Sequence, residues 1–137
     1  MTMIEQVEKK VREINRGLLL SERDIPSFGY DNGAKLNYVL EENGQLKLIN
    51  IGDWRGEKTE VIITNSIGEL VFTIFNNATW KIATEYERNN RRDNQDIRIL
   101  LFQKHIEILE SLPLEKKYIN ELKKKYNSLL NMELFKI

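Results

Sequence analysis

The chain has 137 residues, 41% hydrophobic and 31% charged, enough for one globular domain with a single core and too few for two independent ones. Its 21 basic and 21 acidic residues cancel, so no global field draws it to nucleic acid, an anionic membrane or a cationic substrate. Cysteine is absent, which excludes disulfides, thiolate metal sites and a cysteine nucleophile.

The opening MTMIEQVE carries acids where a secretory leader needs bases ahead of an apolar run, and the longest apolar runs are far below the roughly 20 residues needed to span a bilayer. A cytoplasmic protein without membrane contact is expected. Ile4, Val7, Val11, Ile14 and Leu18 recur in steps of three and four, which predicts an amphipathic helix ending near Gly17. Between Leu19 and Gly33, Pro26, Gly29, Asn32 and Gly33 punctuate a loop, while Leu19, Leu20, Ile25, Phe28 and Tyr30 indicate that it is packed down.

Leu36, Tyr38 and Leu40 alternate with polar residues, as do Leu46 and Leu48, and Asn43-Gly44 separates the two runs. Asn-Gly between alternating runs predicts a hairpin, because both residues tolerate the positive φ of a tight turn. The run ending TEVIIT at Thr64 follows a W-R-G turn and supplies a third strand. The period then becomes helical: Ile67, Leu70, Val71, Ile74 and Phe75 share a face, with Thr64, Asn65 or Ser66 as the cap. Asn76-Asn77 is expected to interrupt this helix, with Thr79 capping a second segment through Trp80, Ala83 and Tyr86.

Ile97, Leu100, Leu101, Ile108, Leu109 and Leu112 predict a further helix capped by Asp93 or Asn94. After Pro113, the stripe Leu114, Tyr118, Leu122, Tyr126 and Leu129 predicts an amphipathic terminal helix. The expected fold is α+β: an N-terminal helix, a three-stranded antiparallel sheet, then three or four helices packed on one face, all in a single domain over 1–137.

No catalytic set emerges. His105 is the sole histidine and sits on the apolar stripe between Leu101 and Leu109, which suits a structural role. There is no G-x-S-x-G elbow, no Walker or G-x-G-x-x-G loop, and no acid pair at metal-ligand spacing. No enzyme activity, cofactor or metal is therefore expected. Arg88, Arg91, Arg92 and Arg98 are dense, but the acids between them disfavour nucleic acid. Glu87 and Arg91 stand one helical turn apart with Asp96 and Arg98 beyond them, so Tyr86, Glu87, Arg91, Asp96 and Arg98 read either as a structural ion network or as a secondary contact surface.

The stretch from Ala83 to Phe102 resembles the immunity protein 63 family of bacterial polymorphic toxin systems, whose pattern is roughly A-x-x-Y-E-x-x-x-R-x-x-x-x-D-x-R-R-x-x-F. At matching spacing the chain has Ala83, Tyr86, Glu87, Arg91, Asp96, Arg98 and Phe102, with Ile99 in place of the second arginine. The turn Asp53-Trp54-Arg55-Gly56-Glu57 is similar to the family's E-R-G-x-E turn, keeping Arg55 and Gly56. The resemblance implies an antitoxin that binds and neutralises the toxic domain of a cognate effector, often a nuclease. Tyr30, Asp31, Trp54, Arg55 and Glu57 are the toxin-binding candidates. The alternative is a small intracellular adaptor or small-molecule-binding protein with no toxin partner. The sequence leaves the oligomeric state open.

Overall fold

The computed structural model describes residues 1–33, 35–52 and 56–137. In chain order it contains α1 (Met3–Leu18), β1 (Ser27–Phe28), β2 (Asn37–Glu42), β3 (Gln45–Ile51), β4 (Lys58–Thr64), α2 (Ile67–Asn89), α3 (Ile97–Glu110) and α4 (Lys116–Leu130). Two compact units divide within α2: Met1–Ile74 and Phe75–Ile137. Among the described residues no helix is long and apolar enough to cross a membrane.

In the first unit, α1 starts with a capping box. The Thr2 hydroxyl accepts from the Glu5 N–H, and the Glu5 carboxylate accepts from the Thr2 N–H. A third N–H of that first turn, from Ile4, donates to the Glu41 carboxylate on β2 at 2.9 Å. The helix thereby buries Val7, Val11 and Ile14. It runs one residue past Gly17, and Leu19 rather than the glycine takes the left-handed cap, with φ of 54°. Asn15 makes this possible: its backbone oxygen accepts from the Leu19 N–H and its side-chain oxygen accepts from the Leu20 N–H at 2.7 Å.

The sheet has four strands in the order β1-β2-β3-β4 and is mixed, which corrects the expected three-stranded antiparallel arrangement. The added strand is two residues long and pairs in parallel, Ser27 with Tyr38 and Phe28 with Val39. A pair that short carries no alternation to read. β2 and β3 form the predicted hairpin, with Asn43 and Gly44 at φ of 53° and 76° in the turn.

Between β3 and β4 the register slips: Leu48 faces Ile62 but Ile49 faces Glu60. Val61 is thus the extra residue of a bulge in the β3–β4 ladder, which bends and twists the edge strand. At the sheet's centre both faces are buried, with Val39 and Leu48 on one and Tyr38 and Ile49 on the other. Apolar exposure is instead found on β4, at Val61 and Ile63.

α2 is continuous through Asn76-Asn77, which corrects the expected break. Ser66 accepts the Glu69 N–H at its start. Thr79 is not a cap, because its hydroxyl donates back to the Phe75 carbonyl at 2.6 Å, inside the helix. In the second unit, α3 is capped by Asp96 rather than by Asp93 or Asn94, and α4 ends on Asn131 in the left-handed region. Tyr118, Leu122 and Tyr126 are buried as the stripe predicts, whereas Leu114 precedes the helix and Leu129 is exposed. Beyond α4, the Asn127 amide accepts from the Leu134 and Phe135 N–H groups and donates to the Phe135 carbonyl, fixing the terminal segment.

Candidate functional site

The residues nominated from sequence fall into two groups, one in each unit. In the first unit, Tyr30 is 59% exposed and its carbonyl accepts from the Ser27 hydroxyl at 2.6 Å. Asp31 lies 3.2 Å from the Lys58 ammonium, which in turn stands 5.5 Å from the centre of the Tyr38 ring. The hydrogen bond to Asp31 raises the Lys58 pKa above the usual lysine range. Glu57 is exposed, and its carbonyl accepts from the Gly52 N–H at 2.6 Å, closing the ends of the turn. Tyr30 and Asp31 are thus held beside the start of β4, next to Glu57. Trp54 and Arg55 lie outside the described residues.

The nearby acids are already engaged. Glu41 caps α1, while Glu42 and Glu60 share Lys47 at 3.2 and 3.8 Å. Glu57 has no ion partner among the described residues.

In the second unit the charged motif resolves into two local pairs, and among the described residues no bond joins them. Glu87 is only 5% exposed and receives both arms of the Arg91 guanidinium, at 3.0 and 2.9 Å. That hydrogen bonding holds its carboxyl below the usual carboxylate range against the opposing effect of burial. Asp96 accepts from the Arg98 side chain at 2.7 to 3.1 Å and from the Arg98 N–H at 2.9 Å. These bonds lower its pKa to about 2. Arg98 also donates to the Leu129 carbonyl at 3.3 Å, tying the start of α3 to the end of α4. Tyr86 is exposed and carries the Lys104 ammonium 4.4 Å above its ring.

His105 organises a cluster that the sequence did not reveal. Its Nε2 lies 3.0 Å from the Asn76 carbonyl and 3.1 Å from the Thr79 hydroxyl, and its Nδ1 lies 2.6 Å from the Tyr126 hydroxyl. A carbonyl can only accept, so Nε2 carries the proton and Nδ1 accepts from Tyr126. Both nitrogens are occupied. Burial pushes the His105 pKa down to about 4 and the Tyr126 pKa up. Phe102 and Tyr126 stack at 3.8 Å with a 4° interplanar angle, and Trp80 meets His105 edge-on at 5.3 Å. The partners of His105 lie 21 to 29 positions away in sequence, beyond the reach of any local pattern. Among the described residues no group of His, Asp or Glu side chains is placed to hold a metal ion.

A family model described as immunity protein 63 matches residues 49–128. The match takes in the turn before β4 and the whole Tyr86 to Phe102 motif, while Tyr30 and Asp31 precede it. No curated protein and no solved structure matches the chain.

Two outcomes follow from this geometry. Unfolded histidine titrates near pH 6.5, so between about pH 6.5 and about pH 4 the unfolded chain binds the extra proton. The contribution of His105 to stability is complete above that window and is lost as pH falls through it, by roughly 3 kcal/mol. Urea unfolding of wild type and His105→Gln across the window checks this, and the stability difference between the two should shrink as pH falls. A difference that stayed constant would mean that the imidazole protonates in place. Separately, Asp96→Ala removes the cap of α3 and the partner of Arg98, so its thermal midpoint should drop by a few degrees; an unchanged melting curve would argue for a contact role instead.

Proposed function

This chain belongs to the immunity protein 63 family, and on that premise we propose that it is a cytoplasmic antitoxin, not an enzyme, that binds the toxic domain of a cognate effector and blocks it. The observation that carries this reading is the extent of the match, residues 49–128, which includes the charged motif of α2 and α3. Neutralisation by binding requires a preformed surface, on the order of 1,600 Å² buried in total, with a few aromatic or arginine anchors.

The sheet turn supplies that chemistry in this reading. Tyr30 is an exposed aromatic beside the Asp31–Lys58 pair. Trp54 and Arg55 lie in sequence between Gly52 and Glu57, which are joined by a backbone hydrogen bond. Glu57 adds a carboxylate that a basic nuclease cleft would meet, and a nuclease is the toxin class to test first. The pairing of Arg91 and Arg98 with Glu87 and Asp96 leaves those guanidiniums poorly placed to bind nucleic acid.

The whole chain acts as one domain in this reading, because α2 supplies residues to both units. Calorimetry should then give one cooperative transition, and two separable ones would divide the chain. For the function, the toxin-like reading frame beside this gene is expressed in a heterologous bacterium with and without this protein. Relief of toxicity and co-purification of the two chains are expected, with both lost in the double variant Trp54→Ala, Arg55→Ala. Persistent toxicity despite folded protein would overturn the antitoxin reading, and protection by the double variant would move the contact surface elsewhere.

A further inference from the structure

The helical unit contains a pocket of about 300 Å³ between α2, α3 and α4 that neither the charged motif nor the sheet turn accounts for. Its wall is rigid. Phe102 and Tyr126 are stacked, and Tyr126 is held through its hydroxyl by His105, itself fixed by Asn76 and Thr79. Side chains locked in this way lose little entropy when a partner arrives, which is the property of an interface anchor point.

The mouth differs from the wall. Trp80 is 39% exposed and Leu129 52% exposed, and both line the pocket with the exposed residues Asn77 and Lys125. Among the described residues, the Trp80 indole N–H has no hydrogen-bond partner and the Lys125 ammonium has no ion pair. Elsewhere on α4, Lys123 is tied to Glu110 and Lys117 lies over the Tyr118 ring. The lining contains one lysine and no carboxylate. The pocket therefore combines aromatic and aliphatic surface with hydrogen-bond donors and a positive charge at its rim, and nothing in its own lining neutralises that charge.

We propose that this pocket is a second contact for the toxin protein, receiving a segment in which an apolar side chain stands next to an acidic one. The apolar side chain enters beside Trp80 and Tyr126, and the neighbouring carboxylate meets Lys125. The assignment rests on the antitoxin reading and adds to it the chemistry of the toxin surface. A basic substrate cleft, as on a nuclease, would be repelled by Lys125. The segment bound here consequently lies outside such a cleft, and this contact contributes affinity and specificity rather than direct blockage.

Titration calorimetry with the purified toxin domain encoded beside this gene, catalytically inactivated, tests the assignment. The full chain is compared with Lys125→Glu, Asn77→Asp and Trp80→Phe. The first two change exposed side chains, and Trp80→Phe keeps a ring while removing the N–H. Thermal melting of each variant confirms folding. Lys125→Glu is expected to weaken binding by roughly tenfold or more and to reduce its dependence on salt, with a smaller loss for the other two. If all three folded variants bound within about twofold of the wild type, the pocket assignment would fall while the antitoxin reading stood. If the wild-type chain itself failed to bind, both would fall together.

Discussion

His105 joins three helices through two ring nitrogens: Nε2–H reaches the Asn76 carbonyl and Thr79 hydroxyl on α2, and Nδ1 accepts from Tyr126 on α4. Much of the helical unit depends on that geometry. The contacts to the Asn76 carbonyl and Thr79 hydroxyl are made from within a continuous α2. Tyr126, held through its hydroxyl, lies flat against Phe102, and the two rings form the wall that Trp80 overhangs. Because the imidazole is buried it stays neutral through the physiological range. Loss of the Tyr126 hydroxyl would leave Nδ1, which has no second partner among the described residues, unpaired in the interior, a cost of about 1 to 3 kcal/mol.

The sheet unit relies on a different device, the placing of charged groups where they satisfy backbone or shield an edge. The Glu41 side chain reaches from β2 to accept the Ile4 N–H at the start of α1, linking the helix to the sheet. Asp31 and Lys58 tie the loop after β1 to β4. The bulge at Val61 twists the edge strand β4, where Val61 and Ile63 are exposed and a flat edge would invite pairing with another chain. The nominated turn is thus bordered by ordered, paired residues on both sides.

The charged motif that carried the family resemblance has a clear division of labour. Glu87 is buried near the end of α2 and accepts both arms of the Arg91 guanidinium. Asp96 caps α3, and Arg98 donates from Nη1 to the Leu129 carbonyl near the end of α4.

Whatever depends on neighbours in sequence was legible from the chain alone. The helical stripes of α1 and α4, the Asn43-Gly44 hairpin and the Glu87–Arg91 pair all arise from contacts within a few residues, where periodicity and φ preference decide the outcome. Capping was legible only in kind: an acid at the start of α3 was foreseen, but Asp96 serves rather than Asp93, since the cap is set by where the helix packs. Of the candidate site, the structural character of His105 could be anticipated, while the exposure of Tyr30, expected to pack down with its loop, and the pairing of Asp31 with Lys58 could not. The parallel strand β1, the register slip at Val61 and the partners of His105 were decided by tertiary structure. Each joins segments with no shared local pattern, and only the closing of the chain on itself determines which buried polar groups meet.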